Sequence, residues 1–287
     1  MEPLRAAIRW EGSPLLVEGE PLPLIPPGYV LLRTRYAAWS GVEEAVRGLL
    51  LPAPHGVVMG ASGAGQPLEA AGVSTPQARL LAPVHVPPGW TPGVANDGWL
   101  STYTAAPLEA LEEAPASPLS SLSLYFSLAC EAVEHAARRG AASLLVVGGG
   151  VTGFSAALLA AEKGLRVALY TGKKLRCPSG CSLYSTAPRL AFDAAYIASP
   201  SRWFVEAALA GARPWLVEVT PFTRRVSLLP SGLEKVQVRV VRGERGGCWR
   251  RLLHRWEEDV KGLVVAGDGL LVPPPLGGDA AAYILRL

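Results

Sequence analysis

The chain has 287 residues, 49% of them hydrophobic and 18% charged, enough to bury one large core or two of medium size. A net charge of +3, from 27 basic against 24 acidic residues, is too balanced for a polyelectrolyte partner, so no nucleic-acid role is expected. With 31 Gly and 26 Pro the chain stays short of low-complexity sequence, and four cysteines are too few for a disulfide scaffold.

The basic residues divide into 22 Arg and 5 Lys, and Asn96 is the single asparagine, a composition of thermophilic type. Met1-Glu2-Pro3-Leu4-Arg5 shows no leader pattern, so a cytoplasmic protein is expected. Gly140 to Ala161 runs 22 residues without a charge, but the glycines in its middle exclude a membrane span.

Residues 1–118 hold short apolar runs broken by Pro and Gly, namely 6–10, 15–17, 29–36, 57–59 and 80–86, which predict an antiparallel β domain. A short helix is expected over 41–50 and a loop over 87–99. From Leu122 to Arg139 the pattern is helical, and strands and helices then alternate. Strands are predicted at 144–148, 166–170, 182–185, 194–198, 215–219 and 236–241, with helices at 152–163, 201–210 and 247–261. Such alternation predicts a parallel sheet wrapped by helices, a Rossmann-type doubly wound α/β domain over 119–262. Only Thr186 to Asp193 separate the third and fourth of these strands, too few residues for a crossover helix. Residues 263–287 return to short strands and join the first domain.

The motif with the most chemistry is Leu144-Leu145-Val146-Val147-Gly148-Gly149-Gly150-Val151-Thr152-Gly153, standing between a strand and an Ala/Leu helix. Its G-x-G-x-x-G spacing gives Gly148 the tight turn, Gly150 the close approach of a pyrophosphate, and Gly153 the packing of helix on strand. The helix start at Val151 and Thr152 offers free N–H groups to an anion. A purely structural turn uses the same glycines. The second strand ends in Thr171-Gly172-Lys173-Lys174-Leu175-Arg176, with no carboxylate between Arg166 and Asp193. An acid there would hold a ribose 2′-hydroxyl, whereas cations suit a 2′-phosphate, so NADP(H) is favoured over NAD(H), with Thr171, Lys173 and Lys174 as its ligands. The alternative is a loop of solvated charges. Ser199, in the turn after the fourth strand, lies at the carboxyl end of the sheet, where such ligands gather.

The order of features resembles the medium-chain dehydrogenase/reductase family over nearly the whole chain. Ala37-Ala38-Trp39-Ser40-Gly41-Val42-Glu43 is similar to the family's Cys-Gly-x-Asp/Glu segment. Met59-Gly60-Ala61-Ser62-Gly63-Ala64-Gly65 is similar to its Gly-His-Glu-x-x-Gly segment, and Asp97-Gly98-Trp99 to Tyr103 to its Asp-Gly-x-x-Ala-x-Tyr segment. The resemblance implies a GroES-like antiparallel domain over 1–118 and 263–287. It also implies a dimer formed through the edge strand near Val236 to Val241.

In zinc-dependent members the cysteine and histidine of those segments hold catalytic zinc, and here Ser40 and Ala61 stand in their places. Neither is a usable ligand, so no metal is expected. The resemblance then points to zinc-free quinone and enone reductases, which deliver hydride from NADPH to a small carbonyl-conjugated substrate. It places Tyr36, Ser40, Glu43 and Arg47 near the nicotinamide, with Ser40, Glu43 and Tyr36 as catalytic candidates. Ser40 with Glu43 three residues on is equally a helix capping box. A family member that has lost catalysis and acts as a nucleotide-binding sensor or scaffold is the alternative function.

His55 and His85 are isolated, and no pair of histidines has metal spacing. Six arginines from Arg239 to Arg255, with Trp249 and Trp256, could grip a nucleic acid strand but fit a solvated helix with inward tryptophans. Cys177 and Cys181 flank Pro178-Ser179-Gly180, where a turn could join them or leave two free thiols.

Overall fold

In the computed structural model, residues 4–173, 177–223, 236–259, 263–277 and 280–287 are described. The chain divides into two compact units, Met1–Leu124 with Arg245–Leu287, and Tyr125–Glu244.

The first unit contains a two-stranded antiparallel ribbon, β1 (Arg5–Trp10) and β2 (Pro14–Glu20), and a larger sheet built on the eleven-residue β3 (Tyr29–Trp39). The other strands of that sheet are β4 (Gly63–Ala70), β5 (Leu81–Pro83), β6 (Tyr103–Pro107), β7 (Leu111–Glu113), β14 (Val264–Asp268) and β15 (Ala282–Arg286). Their order is β14-β15-β3-β4-β5-β7, with β6 also on β3, and every pairing is antiparallel except β14 with β15. The tail therefore returns as an inner strand, β15, beside β3. The expected run at 57–59 forms only an isolated bridge from Val58 to Arg9.

The second unit is a six-stranded, wholly parallel sheet of β8 (Ser143–Val147), β9 (Arg166–Tyr170), β10 (Cys181–Tyr184), β11 (Ala194–Ile197), β12 (Leu216–Val219) and β13 (Gln237–Val240). The order β10-β9-β8-β11-β12-β13 is the dinucleotide-fold order, with its switch point between β8 and β11. Helix α3 (Val151–Glu162) covers the face that carries Val146, because a Cβ at Gly153 would lie 3.4 Å from the Val146 side chain. Helix α4 (Arg202–Ala212) buries Val205, Ala208 and Leu209 against Leu145, Val147, Ala195, Ile197 and Val217 on the opposite face. Helices on both faces make the sheet doubly wound, and the chain as a whole is a Rossmann-type domain plus a separate GroES-like antiparallel domain.

Helix α2 (Ser123–Arg138) shares the face of α3 through a polar row. His135 Nδ1 pairs with the fully buried Glu218 of β12, Arg239 Nε donates to Glu218 at 3.0 Å, and Arg239 Nη2 lies 2.8 Å from Glu131. No helix spans Ser185 to Asp193, the short crossover, among the described residues. That segment instead runs across α4, where a Cβ on Gly211 would sit 2.1 Å from Pro188 O and Phe192 N donates to Ala212 O at 3.0 Å.

One expected boundary shifts. Helix α5 (Gly247–Asp259) was assigned by its position in sequence to the nucleotide-binding domain, yet it groups with the first unit. Trp249 Nε1 donates to Glu112 at 3.0 Å, Gly246 N to Glu112 at 3.1 Å, and Arg250 to Glu113 O at 2.9 Å. Trp249 and Trp256 are buried, so α5 docks by its aromatic face, and Arg239 and Arg250 are tied to acids rather than arrayed for a polyanion. Among the described residues, no helix is long and apolar enough to cross a membrane.

Candidate functional site

The three motif glycines are held by three different constraints. Gly148 has φ of 115°, and a Cβ there would meet Ala198 and Ser199 backbone atoms at 3.0 to 3.1 Å. Gly148 N donates to Tyr170 O at 2.9 Å and Ala198 N to Val147 O at 2.9 Å, which pins the turn between β9 and β11. Gly153 has no room at all, since its Cβ would fall 1.8 Å from Gly148 O. Gly150 differs from both, with ordinary φ of −80° and nothing within 4 Å of a Cβ. Space in front of Gly150 is thus left open while its neighbours are packed shut. Gly150 is the N-cap of α3, no side chain caps it, and the first-turn N–H groups of Val151 and Thr152 face the same opening of the helix. An uncapped helix start of this kind offers its free N–H groups to an anion.

The carboxyl end of β9 leads into Thr171, which is buried and whose hydroxyl accepts from Lys173 N at 3.1 Å. Thr171 N donates to Tyr184 O at 3.0 Å. Lys174 and Arg176 lie outside the described residues. The ring of Tyr170 stacks on Phe204 of α4 at 3.8 Å, an aromatic wall beside this end of the sheet that the sequence did not flag. Ser199 Oγ accepts from Ser201 N at 3.3 Å, shaping the turn before α4. The first acid after β9, Asp193, belongs to the opposite, amino end of the sheet. Its carboxylate accepts from Ala142 N at 3.0 Å and Ser143 Oγ at 2.8 Å, and the Ser143 hydroxyl holds its pKa below the usual range. Cys177 and Cys181 are joined as a disulfide at the start of β10.

In the first unit, α1 (Gly41–Arg47) starts at the N-cap Ser40 with a complete capping box. Ser40 Oγ accepts from Val42 N at 3.3 Å, and both Ser40 N and Ser40 Oγ donate to Glu43 Oε2, at 2.6 and 2.8 Å. Glu43 Oε1 accepts from Ala61 N at 2.7 Å, so one fully buried carboxyl ties the start of α1 to the Gly60 loop. Burial pushes the Glu43 pKa up, against the opposing pull of hydrogen bonds from Ala61 and Ser40. Glu44 accepts from Trp39 Nε1 at 2.6 Å and pairs with Arg47, whose guanidinium lies 4.4 Å over the Trp39 ring.

The catalytic trio expected from the sequence is therefore not assembled. Ser40 and Glu43 are brought together, but each is committed to the cap and the strut. Tyr36 lies apart from them, in a concavity with Arg35, Gln66, Arg79 and Arg286. At the positions matching zinc ligands, Ala61 has no donor atom and the Ser40 hydroxyl is already engaged on both sides, so these residues do not fit a zinc ion. Among the described residues, no group of three or more His, Cys, Asp or Glu is placed to hold a metal.

A profile of the FAD binding domain family matches residues 143–185, the β8-α3-β9-β10 segment that carries the glycine turn. No curated protein sequence matches the chain. Solved structures do match over the full length. Acetophenone reductase from Geotrichum candidum, in complex with NAD, is 16% identical with a TM-score of 0.71, covering 100% of this chain and 98% of its own. A putative zinc-binding dehydrogenase from Sinorhizobium meliloti, bound to NADP, is 16% identical with a TM-score of 0.66 over 99% and 100%. A thermostable alcohol dehydrogenase from Pyrobaculum aerophilum is 18% identical with a TM-score of 0.68 over 99% and 100%. At these identities the likeness establishes the two-domain fold.

Proposed function

We propose that the chain is a zinc-independent oxidoreductase that binds NADPH at the Gly148–Gly153 turn and reduces a small carbonyl-conjugated substrate. The observation that carries this reading is the contrast between Gly150, open in front, and Gly148 and Gly153, closed by backbone, at the start of a helix beside the switch point of the sheet. When bound, the nicotinamide supplies the hydride. Gly150, Val151 and Thr152 would hold the diphosphate through backbone N–H groups and the α3 dipole. The 2′-phosphate reading is supported by Lys173 after β9 and by the removal of Asp193 to the far end of the sheet. Zinc independence is supported by Ala61 and by the committed Ser40 hydroxyl. In this reading Ser40 and Glu43 set the loop geometry of the first unit and do not deliver the proton.

The test is a titration of the metal-free protein with NADPH, NADH and FAD, read by thermal stability and nicotinamide fluorescence. NADPH is expected to bind about tenfold or more tightly than NADH, and Lys173→Ala to remove most of that preference. Preferential FAD binding, or no binding by any of the three, would overturn the reading. Turnover of quinones or enones with NADPH separates an enzyme from a sensor or scaffold, which would bind the nucleotide and leave its absorbance unchanged.

Homodimer formation through β13 belongs to the same proposal. Among the described residues this edge strand pairs only with β12, and its Val238 and Val240 are 48% and 50% exposed. Val240→Lys is expected to convert a dimer to a monomer in light scattering. A wild-type monomer, or a variant that remains dimeric, would refute this edge as the interface.

A further inference from the structure

The first unit carries a second concavity that the dinucleotide reading does not use. Arg35 of β3, Gln66 of β4, Arg79 just before β5 and Arg286 of β15 line it together with Tyr36 and Leu287, around a volume of about 460 Å³. That size suits a small ligand. Among the described residues no Asp or Glu side chain lines it and none of the three arginines forms an ion pair. Asp268 stands in register with Arg286 on the neighbouring strand, yet the two make no ion pair. A carboxylate at Leu287 would still leave two of the three cations uncompensated.

Other arginines of the chain do find acid partners. Arg5, Arg9, Arg47, Arg202, Arg239 and Arg250 are each matched to an acid within 3.5 Å. Three guanidiniums converging on one concavity repel one another, and a multivalent anion would offset that repulsion. Guanidinium forks match the oxygens of a carboxylate or a phosphate two at a time. Arg35 is half-buried and one arm of its fork is steadied by Gln66 Oε1 at 3.3 Å, while Arg79 and Arg286 are exposed at the rim. The Tyr36 phenol adds a neutral polar group beside them.

We infer that this concavity is a binding site for a small multivalent anion bearing phosphate or carboxylate groups. The inference stands independently of the dinucleotide site. The experiment is calorimetric titration of the full chain with citrate and, separately, inorganic pyrophosphate, each against sodium chloride of matched ionic strength. At least one of the two is expected to bind above the chloride control and to weaken about tenfold or more in the Arg79→Ala/Arg286→Ala double variant. Tighter citrate binding assigns a carboxylate ligand and tighter pyrophosphate binding a phosphate. Both substitutions are at exposed positions, and an unchanged melting temperature checks that the fold is kept. Binding no stronger than chloride, or equal in wild type and double variant, would overturn the site. So would pyrophosphate binding that disappears in Gly150→Ala but survives loss of the two arginines, because it would then belong to the glycine turn.

Discussion

Gly153→Ala is expected to lower stability by about 3 kcal/mol, or about 6–12 °C in melting temperature, while Gly150→Ala leaves the melting temperature unchanged and weakens NADPH binding about tenfold or more. The two substitutions add the same methyl group three residues apart, so the contrast isolates position from chemistry. At Gly153 the new Cβ would lie 1.8 Å from Gly148 O and 2.9 Å from Gly148 C, and main chain cannot swing aside as a flexible side chain can. Gly148 cannot yield either. Its φ of 115° and the backbone of Ala198 and Ser199 behind it fix its place, so strain at Gly153 would spread to β11. At Gly150 the backbone is compatible with alanine and no atom stands within 4 Å, so the folded state tolerates the methyl. Only a ligand occupying that space would feel it. Thermal melts and fluorescence titrations of both variants check the pair. A Gly153→Ala protein that melts with the wild type would refute the close approach, and a Gly150→Ala protein that binds NADPH unimpaired would move the diphosphate elsewhere.

This contrast was legible in the sequence because it is local. Leu144 to Val147 form a run buried on both faces, the glycines follow at once, and an Ala-rich helix closes the unit, so strand, turn and helix are specified within twenty or so residues. The capping box at Ser40 and Glu43 was legible for the same reason, being set by two residues three apart. The missing crossover helix could be read from chain length alone, since nine residues from Ser185 to Asp193 cannot hold one. Strand β4 was not legible, because Gly63-Ala64-Gly65 shows no alternation. Its small residues answer to partners far along the chain, as a Cβ on Gly63 would lie 2.7 Å from the Trp99 side chain and one on Gly65 2.9 Å from Arg33 O. Helix α5 was placed with the wrong unit because its amphipathic pattern says that Trp249 is buried, not that Glu112 receives it. The arginine concavity was hidden for the same reason. Arg35, Arg79 and Arg286 meet only after β15 has returned across the sheet to pair with β3, and nothing in their separate neighbourhoods announces that meeting.

Glu43→Ala is expected to destabilise the first unit by about 2–5 kcal/mol, because it removes the carboxylate that accepts from the buried N–H groups of Ser40 and Ala61 and with it half of the capping box. Glu43→Gln tests the carboxyl itself. An amide can accept from Ala61 N or from Ser40 N, but in either orientation its own NH2 faces the other donor, so it is expected to cost less than alanine and still to destabilise. The pH dependence follows from the upward shift of the wild-type carboxyl, which burial produces and the hydrogen bonds donated to it only partly oppose. With its folded pKa above the unfolded value of about 4.3, the folded protein binds this proton more tightly than the unfolded chain does. The resulting stability is fully present below the unfolded pKa and is lost as pH rises through the folded pKa. The glutamine variant has no such proton, and every other titrating group cancels in the difference between the two proteins. The advantage of wild type over Glu43→Gln in melting temperature is therefore expected to shrink as pH is raised from about 4 into the neutral range. An advantage that grows with pH would mean that Glu43 is held as an anion by Ser40 and Ala61, with its donors outweighing its burial.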